Sequence, residues 1–155
     1  MSDTSTLLII LLVLIFLASL FRGLGGNRVP QVRAKPMMTR NEIAFWQLLR
    51  RAAAPLLVCP QVGMNALLTT EHGMDGKARQ ATRNRFMSKI VDFVLIENDG
   101  TVRLIVELDD PTHDAARDKK RDLMTARAGY TTLRIRRPDS QDVQAIKRLV
   151  ADALG

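Results

Sequence analysis

Cysteine and histidine are scarce in this chain: 155 residues contain one of the former and two of the latter, and aromatics make up 5%. The lone Cys59, in the apolar run LLVCPQV, has no partner for an intrachain disulfide, which agrees with a reducing compartment and a place in the core. No internal repeat, glycine-rich phosphate loop, zinc-ligand spacing or Ser-His-Asp arrangement is present, and the chemistries that need them are set aside. Basic residues are missing before residue 22, and acidic residues are missing between Gly23 and Pro36. These two gaps frame the first strong signal.

That signal is Leu7 to Phe21, LLIILLVLIFLASLF, an uncharged apolar run approaching the ~20 residues that span a bilayer. A cleavable signal peptide is the competing reading, but MSDTST carries Asp3 and no Lys or Arg, and no small-x-small site precedes Arg22 cleanly. The expectation is one uncleaved N-terminal transmembrane helix. Arg22, Arg28, Arg33, Lys35 and Arg40 all follow it, so the positive-inside rule places the N-terminus outside and the rest in the cytoplasm, a single pass through the inner (cytoplasmic) membrane. Residues 1–26 are then anchor and flanks, 27–36 a basic flexible tether, and 37–155 one domain. The net charge of +7 lies wholly beyond Gly26, because Asp3 and Arg22 cancel. Such a domain attracts polyanions.

Within the domain, Thr39 and Glu42 form a capping box for a helix reaching about Ala54, with Ile43, Phe45, Trp46 and Leu49 on its apolar side and Pro55 as its stop. Leu56 to Val62 reads as a strand, at an edge or bulged because of Pro60, with Gln61 its polar exception. Residues 63–89 carry weaker signals: a short helical turn over 65–68, the loop-like EHGMDGK, then KARQATRNRFMSK with five basic residues and no acid. Ile90 to Ile96 and Val102 to Leu108 are β-branched apolar strands around Asn98, Asp99 and Gly100, a hairpin. A helix over Asp114 to Ala128 follows, with Ala115, Ala116, Leu123, Met124 and Ala126 as apolar positions and Gly129 as its stop. Tyr130 to Arg136 is expected parallel to the preceding strand, and Asp139 or Ser140 to cap a last helix carrying Val143, Ile146, Leu149, Val150 and Leu154. The order α-β-β-β-α-β-α predicts an α/β fold with a mixed sheet flanked by helices.

The chemistry centres on the hairpin. A two-residue type I′ turn at Asp99 and Gly100 pairs Asn98 with Thr101 and sets Asp92 opposite Glu107. Facing carboxylates destabilise a sheet unless something neutralises them, and strand alternation adds Asp109 to the same face. Three oxygen donors suit magnesium or manganese and metal-assisted phosphodiester hydrolysis. The competing reading puts Asp92 at a strand end and Asp109 in a polar turn before Pro111, or pairs Glu107 with a structural cation such as Arg134. His113 is placed to act as an acid or to position water, or else to cap the helix; Lys120 either leans towards the carboxylates or is solvated. Arg79, Arg83 and Arg85 either line a phosphate-contacting stripe for nucleic acid or form a plain solvated face.

The run VDFVL, a turn, then LIVELDD with His113 resembles the core of the PD-(D/E)XK nuclease-like superfamily. With TRNEIAFWQLL, PQV, Arg121 and Asp122, and AGYTTLRI, the stretch from about Lys35 to Arg137 resembles bacterial domain-of-unknown-function family 2726. The resemblance implies a restriction-endonuclease-like mixed sheet and a Mg- or Mn-dependent nuclease, with Glu42 matching a helix acid that helps hold the metal. Asp109 departs from the pattern, standing where the motif has lysine. The expected function is membrane-anchored, metal-dependent hydrolysis of nucleic acid on the cytoplasmic face. The alternative is a catalytically inactive module that binds nucleic acid or serves as a membrane adaptor.

Overall fold

The computed structural model describes residues 3–23, 30–109, 115–136 and 141–155, without the side chains of 3, 20–23 and 115–120. The chain forms two units, Met1–Lys35 and Pro36–Gly155.

In the first unit the apolar run is a helix, α1 (Asp3–Gly23). Every large apolar residue from Leu7 to Leu17 is between 44% and 64% exposed. Among the described residues, however, no helix is long and apolar enough to cross a membrane. The described apolar side chains, 7–18, extend roughly 18 Å at ~1.5 Å per residue, against a hydrocarbon core of ~30 Å. The expected transmembrane span is therefore not found among them.

The second unit contains α2 (Arg40–Ala52), β1 (Leu57–Gly63), α3 (Met64–Leu67), α4 (Gly76–Phe86), β2 (Ile90–Ile96), β3 (Val102–Asp109), α5 (Ala115–Arg127), β4 (Thr132–Arg136) and α6 (Val143–Leu154). The strands form one mixed sheet in the order β1-β2-β3-β4, antiparallel from β1 to β3, with β4 parallel to β3. Helices flank it, as the sequence predicts, and Pro60 sits on an edge strand.

Alternation along the strands divides most of the apolar residues into two cores, with Val91, which shares its parity with Phe93 but packs with Val94, as an exception. Phe93, Leu95, Leu104, Val106 and Ile135 pack against Phe45, Leu49 and Ala52 of α2 and Ile146 and Val150 of α6. Phe45 and Phe93 meet edge to face with centroids 5.3 Å apart. Val91, Val94 and Ile105 pack with Met64 and Phe86, and with the partly buried Met124 and Tyr130. Tyr130 Oη donates to the Leu67 carbonyl at 3.1 Å, tying α3 to the end of α5.

Several local expectations change. Ile43 and Leu123 are exposed rather than core. In α5 the inward side carries Arg121, Met124 and the buried Thr125, at i, i+3 and i+4, and that phase turns Leu123 to solvent. Cys59 is free but only partly buried. Residues 76–86 form a helix without a useful apolar pattern: only Phe86 is buried, and Asp75 caps it by accepting from Ala78 N at 2.9 Å. The cap of α6 is Asp142, which accepts from Gln144 N at 2.9 Å; Asp139 and Ser140 lie outside the described residues.

The hairpin differs in detail while keeping its consequence. Glu97 N donates to Thr101 O at 2.9 Å, leaving a loop of residues 98–100 with Gly100 at a φ of +89°. One residue later the register shifts: Ile96 faces Val102, whereas Leu95 faces Leu104. Arg103 is the extra residue, and it restores the pairing a two-residue turn gives.

Candidate functional site

A row of polar residues crosses this apolar sheet. Pro60 faces Phe93 and Val62 faces Val91, so Gln61 stands opposite Asp92. Phe93 faces Val106, and the next step of that register puts Asp92 opposite Glu107. Glu107 in turn faces Arg134. Each strand thus contributes one polar residue at the same level.

The helices supply partners. Asp92 Oδ2 accepts from Leu108 N at 2.9 Å. Glu107, only 4% exposed, accepts at Oε2 from Arg121 Nη2 at 3.1 Å; its Oε1 is buried with no hydrogen-bond partner among the described residues. Arg134 grips Asp122 through Nε at 3.2 Å and Nη2 at 3.0 Å, and its Nη1 lies 3.6 Å from Asp109. At the N-terminus of α2 the capping box is intact: Thr39 N donates to Glu42 Oε2 at 2.5 Å and Glu42 N to Thr39 Oγ1 at 3.3 Å. The other oxygen of Glu42 accepts from Gln61 Nε2 at 3.2 Å.

Burial governs the charges here. Loss of water pushes the Glu107 carboxyl up to about 8, the facing Asp92 adds to the rise, and Arg121 and Arg134 offset only part of it. Asp92 is also raised, first by burial; the Leu108 N–H opposes this and the charge of Glu42 reinforces it. Two facing carboxyls of this kind repel each other when both are anionic, and Arg121, paired to Glu107, offsets only part of that cost. A proton on Glu107 permits a hydrogen bond between the pair and satisfies the site in another way.

Of the residues singled out from sequence, Asp92 and Glu107 come together, with Glu42 near enough for its charge to act on Asp92. Asp109 turns to Arg134, a longer contact at a partly exposed position, instead of completing a triad. The partner of Glu107 is Arg121, and not the neighbouring-strand Arg134. His113 and the side chain of Lys120 lie outside the described residues. Arg79, Arg83 and Arg85 are exposed on α4. Arg79 Nη2 donates to Met74 O at 3.2 Å, and Arg85 borders a cavity of about 370 Å³ floored by Leu68, Phe86 and Met124. Sequence reasoning missed the roles of Gln61 and Arg121. The only signal for Gln61 was a polar residue inside an apolar strand.

Among the described residues no group of three or more His, Cys, Asp and Glu side chains is placed to hold a metal ion. The pair Asp92 and Glu107 nevertheless fits a hard cation, because magnesium is commonly held by one or two carboxylates plus waters and Glu107 Oε1 lacks a partner among the described residues.

The family described as "Protein of unknown function (DUF2726)" matches residues 34–154. The chain belongs to the DUF2726 family. Its match covers the whole sheet and both flanking layers, so the polar row lies within the family's domain. No curated protein and no solved structure matches the chain.

Proposed function

We propose that this DUF2726 domain is a PD-(D/E)XK-like, restriction-endonuclease-like nuclease that hydrolyses phosphodiesters of nucleic acid with a magnesium or manganese ion held by Asp92 and Glu107. The observation that carries this is the facing pair itself: a half-buried carboxyl, Asp92, opposite a buried one, Glu107, in an apolar sheet, the latter with an oxygen that has no partner among the described residues. A purely structural role has cheaper solutions, since apolar residues of similar volume commonly serve as well as a buried ion pair. When bound, the cation supplies charge stabilisation for the phosphoryl group and a water of lowered pKa. Leu108 N–H fixes Asp92 Oδ2, which orients the other oxygen. Arg121 holds Glu107 in place and is a permanent cation that cannot act as a base. The water-handling role falls to His113 or Lys120, with Glu42 as an outer acid. The basic residues Arg79, Arg83 and Arg85 contact the nucleic-acid backbone.

We also place the domain at the cytoplasmic face of the inner membrane, N-terminus outward. The exposed apolar side chains of α1, an apolar sequence that runs on through Phe21, and the basic residues after it support this reading.

The test is cleavage of mixed DNA and RNA by the full chain with added magnesium or manganese. Asp92→Ala should reduce it to background, and His113→Ala or Lys120→Met should slow it by about 10²- to 10⁴-fold if that residue handles the proton. A second reading, a catalytically inactive nucleic-acid-binding or membrane-adaptor module, is favoured by Asp109 at the motif-lysine position and its contact with Arg134. It expects no cleavage above background. Affinity should then respond to Arg79, Arg83 and Arg85, and replacing any one that binds a phosphate should flatten the log K against log salt slope by about 1.

A further inference from the structure

The backbone of β1 takes an unusual course beside this pair. Gln61 has a φ of 51°, the one non-glycine residue in the left-handed region among the described residues. The pairing total is the same on either side, Pro60 with Phe93 and Val62 with Val91, so no inserted residue forces the bend. Left-handed backbone is unfavourable for a long L side chain, which has neither the freedom of glycine nor the local hydrogen bonding of asparagine. Such strain persists only where surrounding structure holds it, and it concentrates at functional sites.

The bend sends the Gln61 amide to Glu42, 3.2 Å from Nε2 to Oε1. The capping amide of Thr39 holds the other oxygen of Glu42. The α2 carboxylate is thereby clamped from both sides, and its charge is felt at Asp92, the residue opposite Gln61. Without Gln61, Glu42 keeps only the hydrogen bonds of its own cap.

We infer that Gln61 is a positioning residue, its strained backbone turning the side-chain amide onto Glu42 so that this carboxylate faces the cation held by Asp92 and Glu107. The inference rests on the nuclease reading for the presence of the cation, and it adds a role for a residue that touches neither cation nor substrate.

The experiment is the rise in melting temperature of the full chain as magnesium or manganese alone is titrated in. Wild type should rise by mass action. Gln61→Gly removes the amide and relieves the backbone. The metal-free chain should be no less stable, while metal affinity falls by about 10- to 100-fold, as when other outer-sphere partners are removed. Gln61→Asn, which tolerates the left-handed region but is one methylene shorter, should behave alike and serves if the glycine variant folds poorly. Glu42→Gln keeps a competent capping box and should show the same loss; the double variant should show no more than either single one. If wild type rises and Gln61→Gly rises equally, this inference is wrong while the metal site stands. If Gln61→Gly instead loses metal-free stability with affinity intact, Gln61 merely fastens α2 to the sheet. If wild type shows no rise, the metal site falls and takes the inference with it.

Discussion

Glu107 is where burial, charge and function conflict most. Its carboxyl is raised from 4.5 to about 8, so between those values the folded chain binds a proton that the unfolded chain has released. Stability from this group is therefore full below pH 4.5 and is lost as pH rises through about 8, with a slope of at most about 1.4 kcal/mol per pH unit. Urea midpoints of the metal-free wild type should fall across that window relative to Glu107→Gln, whose neutral amide mimics the protonated acid. Near pH 7, well above the unfolded value, Glu107→Gln should therefore be the more stable of the two. A loss of about 3–5 kcal/mol at pH 7 would mean that Glu107 is a charged partner of Arg121 and that scaffolding, not a site, fills the sheet. Asp92 and Glu107 were legible from sequence because an acid among β-branched residues is costly and so carries information. The contact of Asp109 with Arg134 was not legible, because alternation assigns a face but not a partner. Arg121 was hidden in a helix dense with charge, where the inward phase depends on what the sheet offers.

At the scale of elements, the hairpin gave the right facing pair through the wrong turn. A two-residue loop and a loop over 98–100 followed by an extra residue at Arg103 lead to the same partner for Asp92. Apolar alternation fixes the register deep in the strands, where Leu95 and Leu104 are fully buried, and the loop adapts to it. Gly100, at a φ of +89° with open space where a Cβ would sit, bears only a backbone constraint. Gly100→Ala should therefore cost about 1–2 kcal/mol, read as a lower urea midpoint, while the metal-induced rise in melting temperature survives. Loss of that rise together with stability would show that the loop, and not the buried strand pairs, sets the register. The helix α4 was illegible for the converse reason. Ten of its eleven residues escape burial, so periodicity had almost nothing to act on, and only the Asp75 cap marks its start.

At the scale of the whole molecule, an α/β domain with a basic surplus shares its chain with an apolar helix whose large side chains from Leu7 to Leu17 are exposed. The antiparallel hairpin and the parallel last strand followed from sequence because hairpin and crossover lengths leave few alternatives, whereas the neighbour and sense of β1 did not. The surroundings of α1 did not, because a helix hydrophobic all round specifies a nonpolar medium without saying which. The proposed bilayer location rests on the charge distribution: residues 1–6 carry Asp3 and no Lys or Arg, and Arg22, Arg28, Arg33 and Lys35 follow the run. The full chain should sediment with membranes, resist alkaline extraction and dissolve in detergent, and a reporter fused after Gly155 should be active only in the cytoplasm. Leu14→Arg, at the middle of the run, should release the chain, since a central arginine costs about 2.5–3.5 kcal/mol on insertion scales. Recovery outside the cytoplasm of a chain lacking residues 1–21 would overturn the anchor. It would also place Cys59 in an oxidising compartment and the nucleic-acid substrate out of reach.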